Sequence, residues 1–359
     1  MARRVGILTG GGDAPGLNAV IRAFVRHAVL NKGMEVVGVQ DAYNGLLTTP
    51  RRLVPLMPSS TRGLVRRGGT ILGTTNRGNP FEYRLEDGTV TDVASAVARA
   101  VDEEGLEGLV TIGGDGTQAI AEQLMRENGV RAIGVPKTID NDLSSTDLTF
   151  GFQTAVDIAT EALDRLQTTA ESHDRVILLE VMGRDAGHIA LSAGLAGGAD
   201  VILLPEIPYD PERVAACIQQ RRRSGRAFTV IIVAEGALPN TSADDSPAQR
   251  KERLRKGGGA ANIAMQQLEG RIVAEMRTCV LGHIQRGGSP APFDRVLATR
   301  FGVHAAELVE QGAWGQMVRL HNNVVSSVAI TEAIATYRLV DVDGELVKTA
   351  RAIGVELGA

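Results

Sequence analysis

At 359 residues the chain exceeds what a single hydrophobic core usually serves, so two domains are expected. Hydrophobic content of 43%, a net charge of −4 and only 3% aromatic residues argue against a basic nucleic-acid binder and against a stacking surface for single strands. Its 42 glycines suit α/β folds whose loops wrap phosphates closely. Cys217 and Cys279 show no metal-ligand spacing, which fits a reduced compartment without a disulfide framework or zinc site. The first apolar run is too short for a signal peptide and no segment has bilayer-spanning length, so a cytoplasmic enzyme is expected.

Residues 4–8 read as a buried parallel strand, followed by a glycine loop and a helix over 18–30 with apolar spacing at Ala19, Ile21, Phe24, Val25 and Ala28. Strand, glycine loop and helix N-terminus together can hold an anion, although the spacing matches neither a Walker A loop nor a dinucleotide fingerprint. Residues 35–39 form a second strand, and 68–78 read as a further strand with a glycine loop carrying Arg77. A helix is expected over 93–104, strands over 108–112 and 130–135, and a long helix over 151–172. The strand at 176–181 leads to Met182-Gly-Arg184, and 201–204 forms another. A helix over 211–222 ends in a basic run, and an apolar strand over 228–234 ends at Glu235. The polar stretch 240–259 reads as a surface loop or flap, the best candidate for disorder. A helix over 260–268, a strand over 277–281 and a helix over 294–310 follow, and then a strand, a helix around 330–336 and a mobile tail. Alternating strands and helices predict an α/β fold of two domains, each with a mainly parallel sheet flanked by helices and the active site in the cleft between them.

Ligands of open α/β sheets bind at the carboxyl ends of strands. Here those ends carry Gly113-Gly-Asp-Gly-Thr117 and Val135-Pro-Lys-Thr-Ile-Asp-Asn-Asp142. If the latter continues extended, alternation places Asp140 and Asp142 on one side. Carboxylates beside Lys137 and glycine-exposed amides suit a magnesium-bound phosphate and a proton-accepting base. Arginine-bearing loops come later in the chain. Early acids and late arginines describe a metal–phosphate donor meeting an anionic acceptor, hence phosphoryl transfer to a hydroxyl.

Five stretches carry a resemblance: Gly10-Gly-Gly-Asp-Ala-Pro-Gly-Leu-Asn18, Gly113-Gly-Asp-Gly-Thr117, Pro136-Lys-Thr-Ile-Asp-Asn-Asp142, Glu180-Val-Met-Gly-Arg184 and Gly282-His-Ile-Gln-Arg-Gly-Gly288. In this order, over roughly residues 4 to 310, the chain resembles the 6-phosphofructokinase family. The resemblance implies transfer from ATP or pyrophosphate to the 1-hydroxyl of fructose 6-phosphate. Asp140 would be the general base, with Asp115 and Asp142 organising Mg2+ and Thr138 contacting the transferring phosphoryl group. Gly12 would offer its amide to the phosphates and Arg77 and Arg184 would neutralise them, with Gly114, Gly116 and Thr117 completing the donor loop and Lys137 adding charge. Met182, Gly183, Glu235, His283 and Arg286 would bind the sugar phosphate. Arg175 and Arg277 fall where a neighbouring subunit contributes, implying a homodimer or homotetramer with shared sites. Residues 1–150 with about 285–335 would form the phosphate-donor domain, and about 151–284 with 336–359 the sugar-phosphate domain.

Two positions point to different donors. Gly116 leaves room for a nucleotide's α-phosphate where pyrophosphate users carry an aspartate, and this favours ATP. Lys137 matches pyrophosphate users, so a reversible pyrophosphate enzyme is the alternative. Arg22, Arg26, Arg165 and the run from Arg221 to Arg226 fall near effector-binding positions, suggesting an allosteric enzyme. NAD or diacylglycerol kinases share Gly-Gly-Asp-Gly but not the other motifs. A non-catalytic relative would be expected to lose one of Asp115, Asp140 and Asp142.

Overall fold

The computed structural model describes residues 3–359. The first third of the chain contains β1 (Arg4–Thr9), α1 (Leu17–Lys32), β2 (Glu35–Val39), α2 (Asn44–Leu47), β3 (Leu53–Leu56), β4 (Tyr83–Arg84), β5 (Val90–Thr91), α3 (Ala94–Glu103) and β6 (Leu109–Gly113). Next come α4 (Asp115–Asn128), β7 (Ala132–Thr138), β8 (Phe150–Gly151), α5 (Phe152–Ser172), β9 (Val176–Val181), α6 (His188–Ala196), β10 (Val201–Leu203), α7 (Pro211–Arg223) and β11 (Thr229–Ala234). The chain continues through α8 (Pro247–Gly257), α9 (Ala260–Leu268), β12 (Met276–Val280), α10 (Pro292–Gln311), β13 (Gln316–His321), β14 (Val324–Ala329), α11 (Ile330–Ala333) and α12 (Glu345–Ala352).

The described residues divide into two compact units. One comprises the residues up to Ile139, Leu143–Gln153 and Arg286–Tyr337; the other comprises Asp140–Asp142, Thr154–Gln285 and Arg338–Ala359. The first unit carries an eight-stranded sheet in the order β14-β13-β7-β6-β1-β2-β3, with β8 beside β7. Its centre is parallel, and β3 and β14 pair antiparallel at the edges. The second unit carries the wholly parallel sheet β10-β11-β9-β12. All six residues of β9 and all six of β11 are buried, which explains their continuous apolar runs, since a parallel sheet covered on both faces has no solvent side. Each fully buried Ile or Leu there contributes about 1.5–3 kcal/mol. In the first unit, Gly302 of α10 lets α1 approach closely: a Cβ there would lie 2.5 Å from the carbonyl oxygen of Val20.

Four expectations are corrected. Residues 68–78 hold no strand, because Gly69 (φ 67°) and Gly73 (φ 68°) adopt left-handed backbone that interrupts extension. The segment is fastened instead by buried Asn18, whose Nδ2 donates to Arg67 O (2.8 Å) and Gly69 O (2.8 Å) and whose Oδ1 accepts from Ile71 N (2.9 Å). The stretch 240–259 contains the helix α8, with a capping box between Ser246 and Gln249 and Pro247 in its first turn. None of its residues is buried, so no apolar periodicity announces it. The tail is ordered around α12, where Val347 and Ala350 are buried, and Glu356 pairs with Val201 at the edge of the second sheet. The segment after Thr138 does not stay extended, because Asn141 turns to φ 54°; strand alternation therefore does not place Asp140 and Asp142.

A polar helix that buries nothing depends on its caps. Ser246→Ala should cost α8 about 1 kcal/mol, speeding amide hydrogen exchange across 247–257 about fivefold without moving the global thermal transition. Unchanged exchange there would contradict this account.

Candidate active site

In the first unit the site residues gather around the loop after β1. Gly10 N donates to Ile112 O (2.9 Å) and Gly11 N to Thr75 O (3.1 Å), while Thr74 Oγ1 donates to Gly11 O (2.6 Å). The buried Lys137 ammonium, at the carboxyl end of β7, donates to Gly12 O. Arg286 Nη1 donates to Asp13 O (3.1 Å) and lies so near Gly12 that a Cβ there would approach it to 2.9 Å. Arg286 thus sits on the glycine loop. Exposed Arg77 lies on the neighbouring loop, its backbone N–H held by Thr75 Oγ1 (3.0 Å).

A second cluster starts α4. Gly114 is its N-cap, and Asp115, in the first turn, suits the positive end of the helix. Gly116 is exposed, and a Cβ there would meet no protein atom within 4 Å. Thr117 is buried, where its side chain would collide with a Cβ at Gly10 (2.8 Å) or Gly113 (2.3 Å); it is the packing joint of the two loops. Thr138 is buried at the end of β7, its carbonyl accepting from Thr149 Oγ1 (2.7 Å).

In the second unit Asp140 is 2% exposed and its Oδ2 lies 3.6 Å from Arg184 Nε. Asp142 is also buried. Glu235, at the end of β11, accepts from Gly183 N (3.1 Å) and Arg184 N (2.7 Å), both on Oε1. Arg184 itself holds φ 53°, a strained value for a side-chain-bearing residue that these bonds enforce. Met182 N donates to Gln285 Oε1 (2.8 Å), so the fully buried Gln285 ties the loop after β9 to the turn bearing exposed His283. Glu180, on β9, accepts from Ala261 N (2.8 Å) at the start of α9. Burial pushes its carboxyl above the usual range, against the pull of the Ala261 amide and with the added charge of Glu235.

Arg175 and Arg277 stand apart from this group. Both lie at the amino ends of their strands, and both engage Glu275: Arg175 through Nε (2.9 Å) and Nη2 (3.3 Å), Arg277 through Nη2. The Arg175 hydrogen bond, helped by the charge of both arginines, holds the Glu275 carboxyl below its ordinary range. The six residues of β9 separate Arg175 from Met182 by about 20 Å. Within the basic run, Arg221 pairs with Asp200 (2.6 Å) and Arg222 Nη1 donates to Ala227 O (2.8 Å), while Arg165 pairs with Glu161 (2.6 Å) on its own helix.

Sequence reasoning missed Asn18, Gln285, Glu275 and Tyr337, whose hydroxyl donates to Asp115 Oδ2. Asn18 and Gln285 sit inside conspicuous motifs, so position alone could have flagged them. Tyr337 is an exposed aromatic in the C-terminal segment, with no local signal.

The family model described as Phosphofructokinase matches residues 4–309. The ATP-dependent 6-phosphofructokinase 1 of Synechocystis sp. is 49% identical over 356 residues, covering 99% of this chain and 98% of that one. The pyrophosphate–fructose 6-phosphate 1-phosphotransferase of Streptomyces coelicolor is also 49% identical, over 94% of this chain and 96% of that one. The crystal structure of Pichia pastoris phosphofructokinase in the T-state superposes with a TM-score of 0.78 at 30% identity, covering 93% of this chain and 36% of that longer one. With the family model spanning residues 4–309 and a relative 49% identical matched almost end to end, the chain belongs to the phosphofructokinase family.

Proposed function

We propose that the chain transfers a phosphoryl group from ATP to the 1-hydroxyl of fructose 6-phosphate, giving fructose 1,6-bisphosphate. The observation that carries this reading is the buried Asp140 carboxylate held 3.6 Å from Arg184, a base placed beside a cation. Such a carboxylate takes the hydroxyl proton as the new P–O bond forms, while the adjacent guanidinium offsets charge on the transferring group. We assign the donor role to the first unit, where the Gly12 amide, Lys137, Thr138 and Arg77 offer donors and positive charge to phosphates. The second unit takes the sugar phosphate, Glu235 accepting from a sugar hydroxyl through Oε2 while Oε1 holds the loop. Met182, Gly183 and His283 would complete its contacts, and Arg286, which belongs to the first unit, would also bind the sugar phosphate.

Magnesium fits this donor set. No group of three or more metal-type side chains occurs among the described residues, and a nucleotide-bound Mg2+ needs only one or two carboxylates besides phosphate oxygens. Asp115 and Asp142 would supply them. When bound, the ion neutralises phosphate charge and orients the γ-phosphoryl group.

ATP is favoured as donor because the space beside Gly116 is open to a nucleotide. Pyrophosphate is the second reading, supported by the buried Lys137 charge on the glycine loop, which suits a shorter, highly charged donor.

Arg175 and Arg277 support an oligomer whose subunits share sites, since each lies at the far end of its strand from Met182 and His283. β12 is also an edge strand, with Arg277, Cys279 and Val280 exposed. We place the enzyme in the cytoplasm on the reduced-cysteine composition. No helix of the described residues is long and apolar enough to cross a membrane.

Initial rates with fructose 6-phosphate and magnesium, offering ATP and pyrophosphate separately, test the donor: turnover with ATP alone is expected, and turnover with pyrophosphate alone overturns it. Asp140→Asn should lower kcat by about 10²–10⁴-fold with little change in either KM; a loss below tenfold removes Asp140 from the base role. Gly116→Asp should fold normally, because its Cβ meets nothing, yet lose about a hundredfold in kcat/KM for ATP through like-charge repulsion. For shared sites, co-expressing Asp140→Asn with Arg277→Ala should restore roughly a quarter of wild-type activity, from hybrid sites that combine two intact sides. No recovery in hybrids shown to form would place both residues in one subunit's site.

A further inference from the structure

Tyr337 lies beyond residues 4–309, the span matched by the family model. Its hydroxyl donates to Asp115 Oδ2, at the start of α4. The residue is 57% exposed, so it does not fill a core. Its backbone is nevertheless fixed on both sides. Within the first unit Tyr337 bridges antiparallel to Leu143, and Thr336 Oγ1 donates to Ser144 Oγ (2.9 Å). Within the second unit Arg338 N donates to Asp142 O (2.8 Å) and Arg338 O accepts from His188 Nε2 (3.1 Å). Burial holds the His188 imidazole below its usual range, which suits the neutral ring donating there. Val340 N then donates to Glu206 Oε1 (2.8 Å), which also accepts from Gly187 N (3.0 Å). The segment 336–340 is thus a strap bonded to residues 142–144, immediately after the acidic motif, with one phenol directed at the acid of the other motif.

We propose that Tyr337 is a positioning residue for the metal–nucleotide donor, resting on the reading of Asp115 as a magnesium carboxylate. A hydroxyl donating to one carboxylate oxygen fixes the plane of the group and so limits how the carboxylate can turn toward an ion. Outer-sphere bonds of this kind orient ligands that would otherwise rotate, and their removal typically weakens metal affinity about 10–100-fold. The sugar-phosphate side has no part in this effect.

The test is Tyr337→Phe, which deletes one exposed oxygen. Calorimetric titration with Mg2+–ADP should show Kd raised about tenfold. In rates, KM for ATP should rise similarly while KM for fructose 6-phosphate and the ligand-free melting temperature stay at wild-type values. In an Asp115→Asn background the same change should shift Kd less than twofold, because the phenol then has no carboxylate to orient. If Asp115→Asn weakens Mg2+–ADP binding and Tyr337→Phe leaves it unchanged, the strap proposal fails and the role of Asp115 stands. Should Asp115→Asn itself leave binding unchanged, both fail. A Tyr337→Phe loss that falls equally on fructose 6-phosphate, or that comes with a lower melting temperature, marks a merely structural residue and overturns the proposal.

Discussion

The ammonium of Lys137 donating to the carbonyl of Gly12 is the contact around which the first unit's loops are set. A cation that is 3% exposed costs several kcal/mol of lost hydration unless polar groups replace the water. The glycine loop cannot swing away from the carboxyl end of β7 without withdrawing one of those groups. Other loops lean on it in turn: Thr74 and Thr75 bond to Gly11, and Arg286 bonds to Asp13. A single buried charge thus makes the geometry of three surface loops interdependent. This is what a phosphate site needs, since amides fixed before binding cost no ordering when the ligand arrives.

The second unit achieves the same end with carboxylates. Glu235, Glu206 and Glu180 each accept from backbone amides of a segment beside the site, at Gly183 and Arg184, at Gly187 and Val340, and at Ala261. Burial pushes Glu206 and Glu180 above the ordinary carboxyl range, so these acids are held where water would not have placed them. The return is a loop that can keep Arg184 at φ 53° and its guanidinium beside Asp140. Left-handed backbone at a non-glycine residue costs of order 1–3 kcal/mol and persists only where neighbours over-determine it.

What the sequence makes legible follows from the same physics. The strands at 176–181 and 229–234 are plain because a parallel sheet buried on both faces demands uninterrupted apolar residues. Helix α1 is plain because Ala19, Ile21, Phe24, Val25 and Ala28 recur at helical spacing and all five are buried. The glycine, aspartate and arginine motifs fall on the turns after β1, β6, β7 and β9, where open sheets place ligands, so much of the candidate site can be read from motif position. Helix α8 is hidden because it buries nothing and is specified by its caps. The route of 139–142 is hidden because a left-handed Asn141 replaces strand alternation. Tyr337 is hidden for a third reason: its partner Asp115 lies 222 residues away, and no local pattern encodes such a pairing; the bond from Arg175 to Glu275, across 100 residues, is hidden in the same way.

The C-terminal segment also settles how each sheet ends. An exposed edge strand offers unpaired amides and carbonyls to any passing strand, and proteins cover such edges or use them. In the large sheet the β13–β14 hairpin is added beyond β7, ending that side with an antiparallel strand. In the small sheet Glu356 pairs beside β10, its N–H donating to Asp200 O (3.1 Å) and its carbonyl accepting from Ile202 N (2.9 Å), so that edge is covered. The opposite edge, β12, has no strand beyond it among the described residues and exposes Arg277, Cys279 and Val280. The two edges of the small sheet thus differ in kind: one is paired by Glu356, while the other is open and begins with an arginine pair clamped on Glu275.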